Sequence, residues 1–265
     1  MPFFQVDSIR YLVFDIFDGH NISHGVFTRH GGMSPEPWDT LNAGLTVGDD
    51  SSRVINNRKR IFNTFQLNNR NIFDVWQVHS SRVIRANAGS YKNIQIEQAD
   101  AIVTNKPGLG LFMRFADCVP IFLYDPVNKA IGIAHAGWKG SVRGIAGKTV
   151  KHMESEFGSK PGDILAAIGP SICTEHYEVG PEVVEEVENS FGSEAASMLQ
   201  ETTEINREKR LFDLKKANKY SLTTAGVEQI EISPICTACS LTDWFSHRGE
   251  NGRTGRFGAL IALTE

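Results

Sequence analysis

Three residues able to bind a metal stand at the ends of apolar runs. His79 closes "VWQVHSS". Cys118 opens "DCVPIFLYDP" directly behind Asp117, and His135 closes the run Ala130–Ala134 before the exit Ala136-Gly137. Cys118 follows His79 by 39 positions and precedes His135 by 17. That is too wide for one local finger, but neighbouring strands bring their ends together, as sites on rigid scaffolds are usually built. Two imidazoles and one thiolate suit zinc, and three protein ligands leave a fourth position for water, the catalytic rather than the structural pattern. Metal-bound water becomes a nucleophile near neutral pH. The same residues taken singly also fit a small buried cysteine and two hydrogen-bonded histidines.

Other polar groups offer anion chemistry. "HAGWKGSVRG" places Lys139 and Arg143 around Gly140 and Ser141 at the start of a predicted helix, where free N–H groups and the dipole favour an anion. Arg29 stands beside glycines in "FTRHGGMS", able to clamp phosphate with two parallel bonds or to form a loop salt bridge. Asn42 ends the same loop in "LNAG". "SHRGENGRTGRFG" sets His247, Arg248, Arg253 and Arg256 among glycines, either an anion-binding loop or a long hairpin connection. Cys236-x-x-Cys239 is half a zinc site or a redox pair, and the sequence supplies no partner pair for it. Joining it to His135 as a nucleobase-deaminase signature fails, because Gly137 fills the glutamate position and Ile235 separates Pro234 from Cys236.

The elements that must position these residues can be read from periodicity. A strand is predicted over 22–28, then a long loop from Arg29 to Gly44. A helix over 51–66 carries Val54, Ile55, Ile61, Phe62 and Phe65, with Arg58 on the same side. Short β-rich segments follow at 72–78, 82–86, 99–104, 109–114, 119–124 and 130–135. A helix is expected over 140–157, a strand over 163–168, helices over 181–199 and 213–226, and strands over 228–232 and 256–263. Strands clustered mid-chain with helices around them predict an α+β layered fold, and no linker or repeat divides the chain, so one domain over 1–265 is expected.

Composition sets outer bounds. The 265 residues are 41% hydrophobic and 22% charged, with a formal net charge of -4 and no Lys/Arg block, which disfavours capture of long nucleic acid or an anionic membrane. No window approaches the apolar length of a membrane span, and the N-terminus does not read as a signal peptide. Four scattered cysteines are too few for a disulfide framework. The expectation is a soluble, reduced, cytoplasmic protein.

Seven blocks in order carry a resemblance: "HGVFTRHGGMS", "LNAGLTVGDD", "WQVHSSRV", "ADAIVTNKPGLGLFMRFADCVPIFLYDP", "IGIAHAGWKGSVRGI", "IGPSICTEHYEVG" and "SHRGENGRTGRFGALI". Together they resemble the laccase-domain family of purine nucleoside phosphorylases, formerly described as polyphenol oxidases, from the region of His20 to the C-terminus. The resemblance implies a single α/β domain of mixed sheets packed together and flanked by helices. It implies zinc on His79, Cys118 and His135. It also implies phosphorolysis of adenosine, inosine, guanosine and methylthioadenosine, with adenosine deamination as a second reaction.

On that reading a purine nucleoside and phosphate are the partners. The nucleoside lies across the strand ends, and phosphate is held by cations among Arg29, Lys139, Arg143 and Arg248, with Asn42 in the substrate loop. Asp117 is a proton carrier, or a carboxylate that orients a ligand or caps backbone groups. The chain departs from the family at Lys139, where relatives often have Arg, and at His247-Arg248-Gly249-Glu250, where they often have consecutive arginines and an acid. Cys173 and Cys239 match no family role. Three rivals stay open: a copper polyphenol oxidase, since His₂Cys also suits copper; a cysteine hydrolase with Cys118 as nucleophile and His135 or His79 as base; and a non-catalytic zinc-stabilised interaction domain.

Overall fold

The computed structural model describes residues 1–89, 96–202 and 208–264. Its first elements are β1 (Phe3–Val6), β2 (Ile9–Leu12), β3 (Ile22–Phe27), α1 (Ser51–Thr64), β4 (Ile72–Asp74) and β5 (Val83–Arg85). Then come β6 (Ala101–Thr104), β7 (Gly110–Phe115), β8 (Val119–Asp125), β9 (Ala130–Ala136), α2 (Trp138–Val142), α3 (Ile145–Phe157) and β10 (Leu165–Ile168). The chain closes with β11 (Glu178–Val179), α4 (Pro181–Phe191), β12 (Leu199–Glu201), β13 (Arg210–Phe212), α5 (Leu214–Thr224), β14 (Gln229–Ile232) and β15 (Phe257–Leu263).

Two mixed six-stranded sheets form the interior, in the orders β1-β2-β3-β15-β7-β4 and β14-β10-β8-β9-β6-β5, with a small third sheet β11-β13-β12. Side-chain alternation explains why they pack. On β8, Phe122 and Tyr124 enter the core between the large sheets, while Val119, Ile121 and Leu123 enter a second core with α3, α4 and α5. On β9, Ile131 and Ile133 face the first sheet, and Ala130, Ala134 and Ala136 face the helices. A third core lies on the far side of the first sheet, where Phe112 and Leu260 meet Ile61 and Phe62 of α1. The order of layers is helix, sheet, sheet, helices, as expected of packed mixed sheets flanked by helices. No helix among the described residues is long and apolar enough to cross a membrane.

Most predicted elements stand within a few residues of their expected positions, with informative exceptions. The single helix expected over 140–157 is two, because Gly144 between them sits at φ 69. The helix expected over 181–199 stops at Phe191 and gives way to a 3-10 turn and β12. The strand expected over 72–78 ends at Asp74, releasing the chain that carries His79.

The interior between the sheets holds one titratable ring whose effect can be measured. His24 on β3 is 8% exposed, packs against Phe14, Phe17 and Phe122, and accepts the Phe14 N–H at Nε2 over 2.8 Å. Burial holds its pKa down to about 4, well below that of a free imidazole. The unfolded chain therefore takes up this proton first. The stabilisation is complete above the unfolded pKa and is lost as the pH falls toward the folded one, about 3 kcal/mol in all. Urea unfolding from pH 7 to 4 should show this fall in wild type and a flatter slope in His24→Leu. Equal slopes in the two chains would refute the assignment.

Candidate metal centre and cavity

Three connections pass between the large sheets at one end of the molecule, and two of them deliver a donor. The β4–β5 connection leaves the first sheet for the second and carries His79; the β7–β8 connection does the same and carries Asp117 and Cys118. His135 comes from β9 in the second sheet, with the parity of Ile131 and Ile133, so it faces the rim between the sheets, 5.4 Å from the Phe115 ring centroid. His79 and Asp117 both hold positive φ, 56 and 84, a conformation that residues with a Cβ adopt mainly where tertiary contacts enforce it.

One donor atom from each of His79, Cys118 and His135 lies within 4.8 Å of the others. Cys118 Sγ is 4.0 Å from His79 Nε2. Gly137 leaves room for this cluster: a Cβ there would stand 2.9 Å from Cys118 Sγ and 3.1 Å from the His79 ring. Burial opposes the Cys118 thiolate, but the charge and hydrogen bonds of His135 and His79 outweigh it, so the thiol pKa is lowered. Burial likewise opposes charge on His135, and Cys118 and Asp100 reverse that. The two groups thus favour each other's charged forms, and metal binding, which needs the thiolate and a neutral imidazole, would release a proton.

Asp100 organises this arrangement. Its carboxylate is fully buried and accepts the N–H groups of Val78, His79 and Ser80 at 3.2, 3.1 and 2.6 Å, together with the Ser80 hydroxyl. His135 Nδ1 lies 2.9 Å from Asp100 Oδ1, which leaves Nε2 for a metal. Burial raises the Asp100 pKa, but His135 and the Ser80 donors more than reverse this and hold it at about 2. Nothing in the local sequence "EQADAIV" marks the residue, since its partners lie 20 to 35 positions away.

The three donors line a cavity of about 500 Å³, within the range of small-molecule sites. Arg58, Arg114, Arg248 and Arg256 line it too, as do Trp76 and Ile96, which are 50% and 48% exposed. Arg58 and Arg114 share Asp74, while Arg256 donates to the carbonyls of Thr254 and Gly255. Sequence pattern did not single out Arg58 and Arg114 as cavity cations, although each is a cation within an otherwise apolar face or strand.

The remaining candidates divide. Arg248 lines the cavity, its guanidinium donating to the carbonyls of His176 and Glu178. Asp117 also lines it, but its carboxylate already accepts from Thr237 Oγ1, Ser246 Oγ and the Arg248 N–H at 2.6 to 2.7 Å. That is the arrangement of a carboxylate capping loop groups rather than of a proton carrier. Arg29 does not reach the cavity lining; its buried guanidinium is committed to Asp39, the Leu241 carbonyl and Glu250, over the Phe245 ring. The salt-bridge alternative describes it. Asn42 is fully buried and positions two lining residues, accepting the N–H of Gly44 and of Arg256. Lys139 and Arg143 are exposed and lie outside the lining, the first on a helix of only five residues and the second at its C-terminal cap.

The expectation that Cys236-x-x-Cys239 has no partner pair is corrected. Cys173 and His176, 63 and 60 positions before Cys236, meet it in a second cluster. A search for a second cysteine pair overlooks it because the partner is Cys-x-x-His.

The family described as multi-copper polyphenol oxidoreductase laccase matches residues 23–264. The chain is 35% identical to purine nucleoside phosphorylase YlmD of Bacillus subtilis (strain 168), over 91% of this chain and 88% of that protein. It is 37% identical to a purine nucleoside phosphorylase of Deinococcus radiodurans, over 91% and 89%. Among solved structures, the hypothetical protein YfiH of Bacillus licheniformis superposes with a TM-score of 0.91 at 34% identity, over 99% of both chains.

Proposed function

The chain belongs to the family described as multi-copper polyphenol oxidoreductase laccase, and from that premise we propose that it is a zinc-dependent purine nucleoside phosphorylase. The substrates in this reading are adenosine, inosine, guanosine and methylthioadenosine, with adenosine deamination as a second activity and the cytoplasm as its location. The observation that carries it is one cavity joining a His₂Cys donor set to four arginines and an exposed tryptophan. The names of the relatives, purine nucleoside phosphorylases, support it.

The donor set fits zinc: two imidazoles, one thiolate, an ordering carboxylate behind His135, and a glycine where a Cβ would crowd the cluster. When bound, zinc supplies a Lewis acid at the floor of the cavity. The chain's own residues do the rest. Trp76 and Ile96 offer a flat apolar surface to a purine ring. Arg248, Arg256, Arg58 and Arg114, all in the lining, favour a phosphate dianion beside the ribose. A phosphate oxygen bonds to the anomeric carbon as the bond from that carbon to the purine nitrogen breaks. The bonding pair leaves with the purine, which takes up the proton of the hydrogen phosphate dianion, and ribose 1-phosphate remains.

The donor inventory argues against copper oxidation. The two donor clusters found among the described residues are this one and one of three cysteines and a histidine, and neither has the several imidazoles a multicopper centre needs.

Purified protein incubated with adenosine or inosine should release the free base and ribose 1-phosphate only when phosphate is present. Inosine from adenosine in phosphate-free buffer would report deamination. Protein that holds its metal yet forms none of these products would overturn the proposal and favour the interaction-domain reading.

A further inference from the structure

The second cluster lies outside the cavity and has a different composition. Cys173 and His176 stand in the β10–β11 connection, Cys236 and Cys239 in the β14–β15 connection. β10 and β14 are parallel neighbours, and their pairing continues past the strand ends through a bridge between Ser171 and Cys236. Both connections thus leave the same end of one strand pair. His176 Nδ1 is 3.3 Å from Cys173 Sγ, 3.5 Å from Cys239 Sγ and 4.0 Å from Cys236 Sγ, and the four donor atoms all lie within 4.8 Å of one another. Around a tetrahedral zinc with ordinary bond lengths, sulfur and nitrogen donors stand roughly 3.6 Å apart. All four cysteines of the chain are free thiols.

We propose that Cys173, His176, Cys236 and Cys239 form a second, closed zinc site whose role is structural. Four protein ligands fill a tetrahedral shell and leave no position for substrate or water. The paired spacings, Cys-x-x-His and Cys-x-x-Cys, are those of short turns that close on zinc. Three thiolates and a divalent ion carry one net negative charge. The Lys215 ammonium, bonded to the carbonyls of Ser233 and Ile235 beside Cys236, is placed to offset it. The Cys173 N–H donates to Cys236 Sγ at 3.2 Å, a bond that favours the thiolate.

The location gives the site its purpose. Ile172, next to Cys173, donates its N–H to the Asp117 carbonyl, and Thr237, next to Cys236, bonds the Asp117 carboxylate. The His176 carbonyl accepts from Arg248. The second zinc fastens the two connections that hold Asp117 and Arg248 in the cavity wall.

The test uses the full chain carrying Cys118→Ala, in which the only remaining thiols are the three of this cluster. Purified without chelator and dialysed against zinc, wild type should hold about two zinc ions per chain and Cys118→Ala about one. In Cys118→Ala, zinc should protect all three thiols from alkylation, and cobalt should give the intense visible bands and the thiolate-to-metal charge transfer of a tetrahedral thiolate site. Adding Cys239→Ser should abolish the remaining zinc. If that double variant fails to fold, the protection and the cobalt spectrum of Cys118→Ala decide. Folded Cys118→Ala that binds no zinc after dialysis, or that yields a Cys236–Cys239 disulfide in place of a metal, would overturn the proposal.

Discussion

Cys118→Ala should lose on the order of 10³ in kcat/KM for phosphate-dependent base release, since a Lewis acid contributes several kcal/mol and each tenfold costs about 1.4. It should lose one metal ion and unfold below zinc-loaded wild type by the stabilisation that ion lends, while the half-buried side chain itself costs little. The sulfur is one of three donors, and two imidazoles without it form a weaker and less selective site. Wild type stripped with chelator should be inactive and regain activity with zinc; the variant should not. Activity that survives the chelator but is destroyed by alkylation would transfer Cys118 to the role of nucleophile in a cysteine hydrolase. Undiminished turnover in the variant would separate the reaction from this site altogether.

Asp100→Ala should lower zinc affinity at the first site by on the order of 10², at the upper end of what ordering partners of metal ligands are worth. Asp100 is a positioning residue that acts through two ligands at once. It fixes the His135 ring and gathers the backbone amides around His79. Removing the carboxylate leaves buried donors without an acceptor, at roughly 1–3 kcal/mol each before the loop relaxes. Asp100→Asn should fall between alanine and wild type: it keeps an acceptor for His135 but turns an amide toward the Ser80 N–H. Competition with a chromophoric chelator gives the affinities. Excess zinc should restore kcat in both variants, which a general loss of structure would not permit. Unchanged zinc affinity in folded Asp100→Ala would remove the residue from this role.

The candidate ligands were legible because their signal is local. His79, Cys118 and His135 each interrupt or end an apolar run, and a polar donor at a strand end is visible without knowing what lies opposite. The rest of the site is made by distant pairings. Asp100 looks like any acid before a strand until the β4–β5 connection folds over it. Arg29 and Arg248 are both arginines in glycine-bearing loops, yet one is buried on Asp39 and Glu250 and the other lines the cavity. Only the packing of the 241–250 segment separates them. The layers were legible from the alternation of β8 and β9 and from the apolar faces of α1 and α3. The break at Gly144 and the short sheet after α4 were not, because the flanking residues keep an apolar pattern that suits one longer helix.

Because two of the three donors arrive on chain crossings between the large sheets, a metal bound there would act as a rivet between those crossings and β9. Cys118 directly precedes β8, whose Val119 and Pro120 pair with Ala136 and His135, so the second sheet fixes those two donors relative to each other and the connection that carries His79 sets the bite of the site. A chain without that metal should, by the same coupling, exchange the amides of Val78, His79 and Ser80 faster.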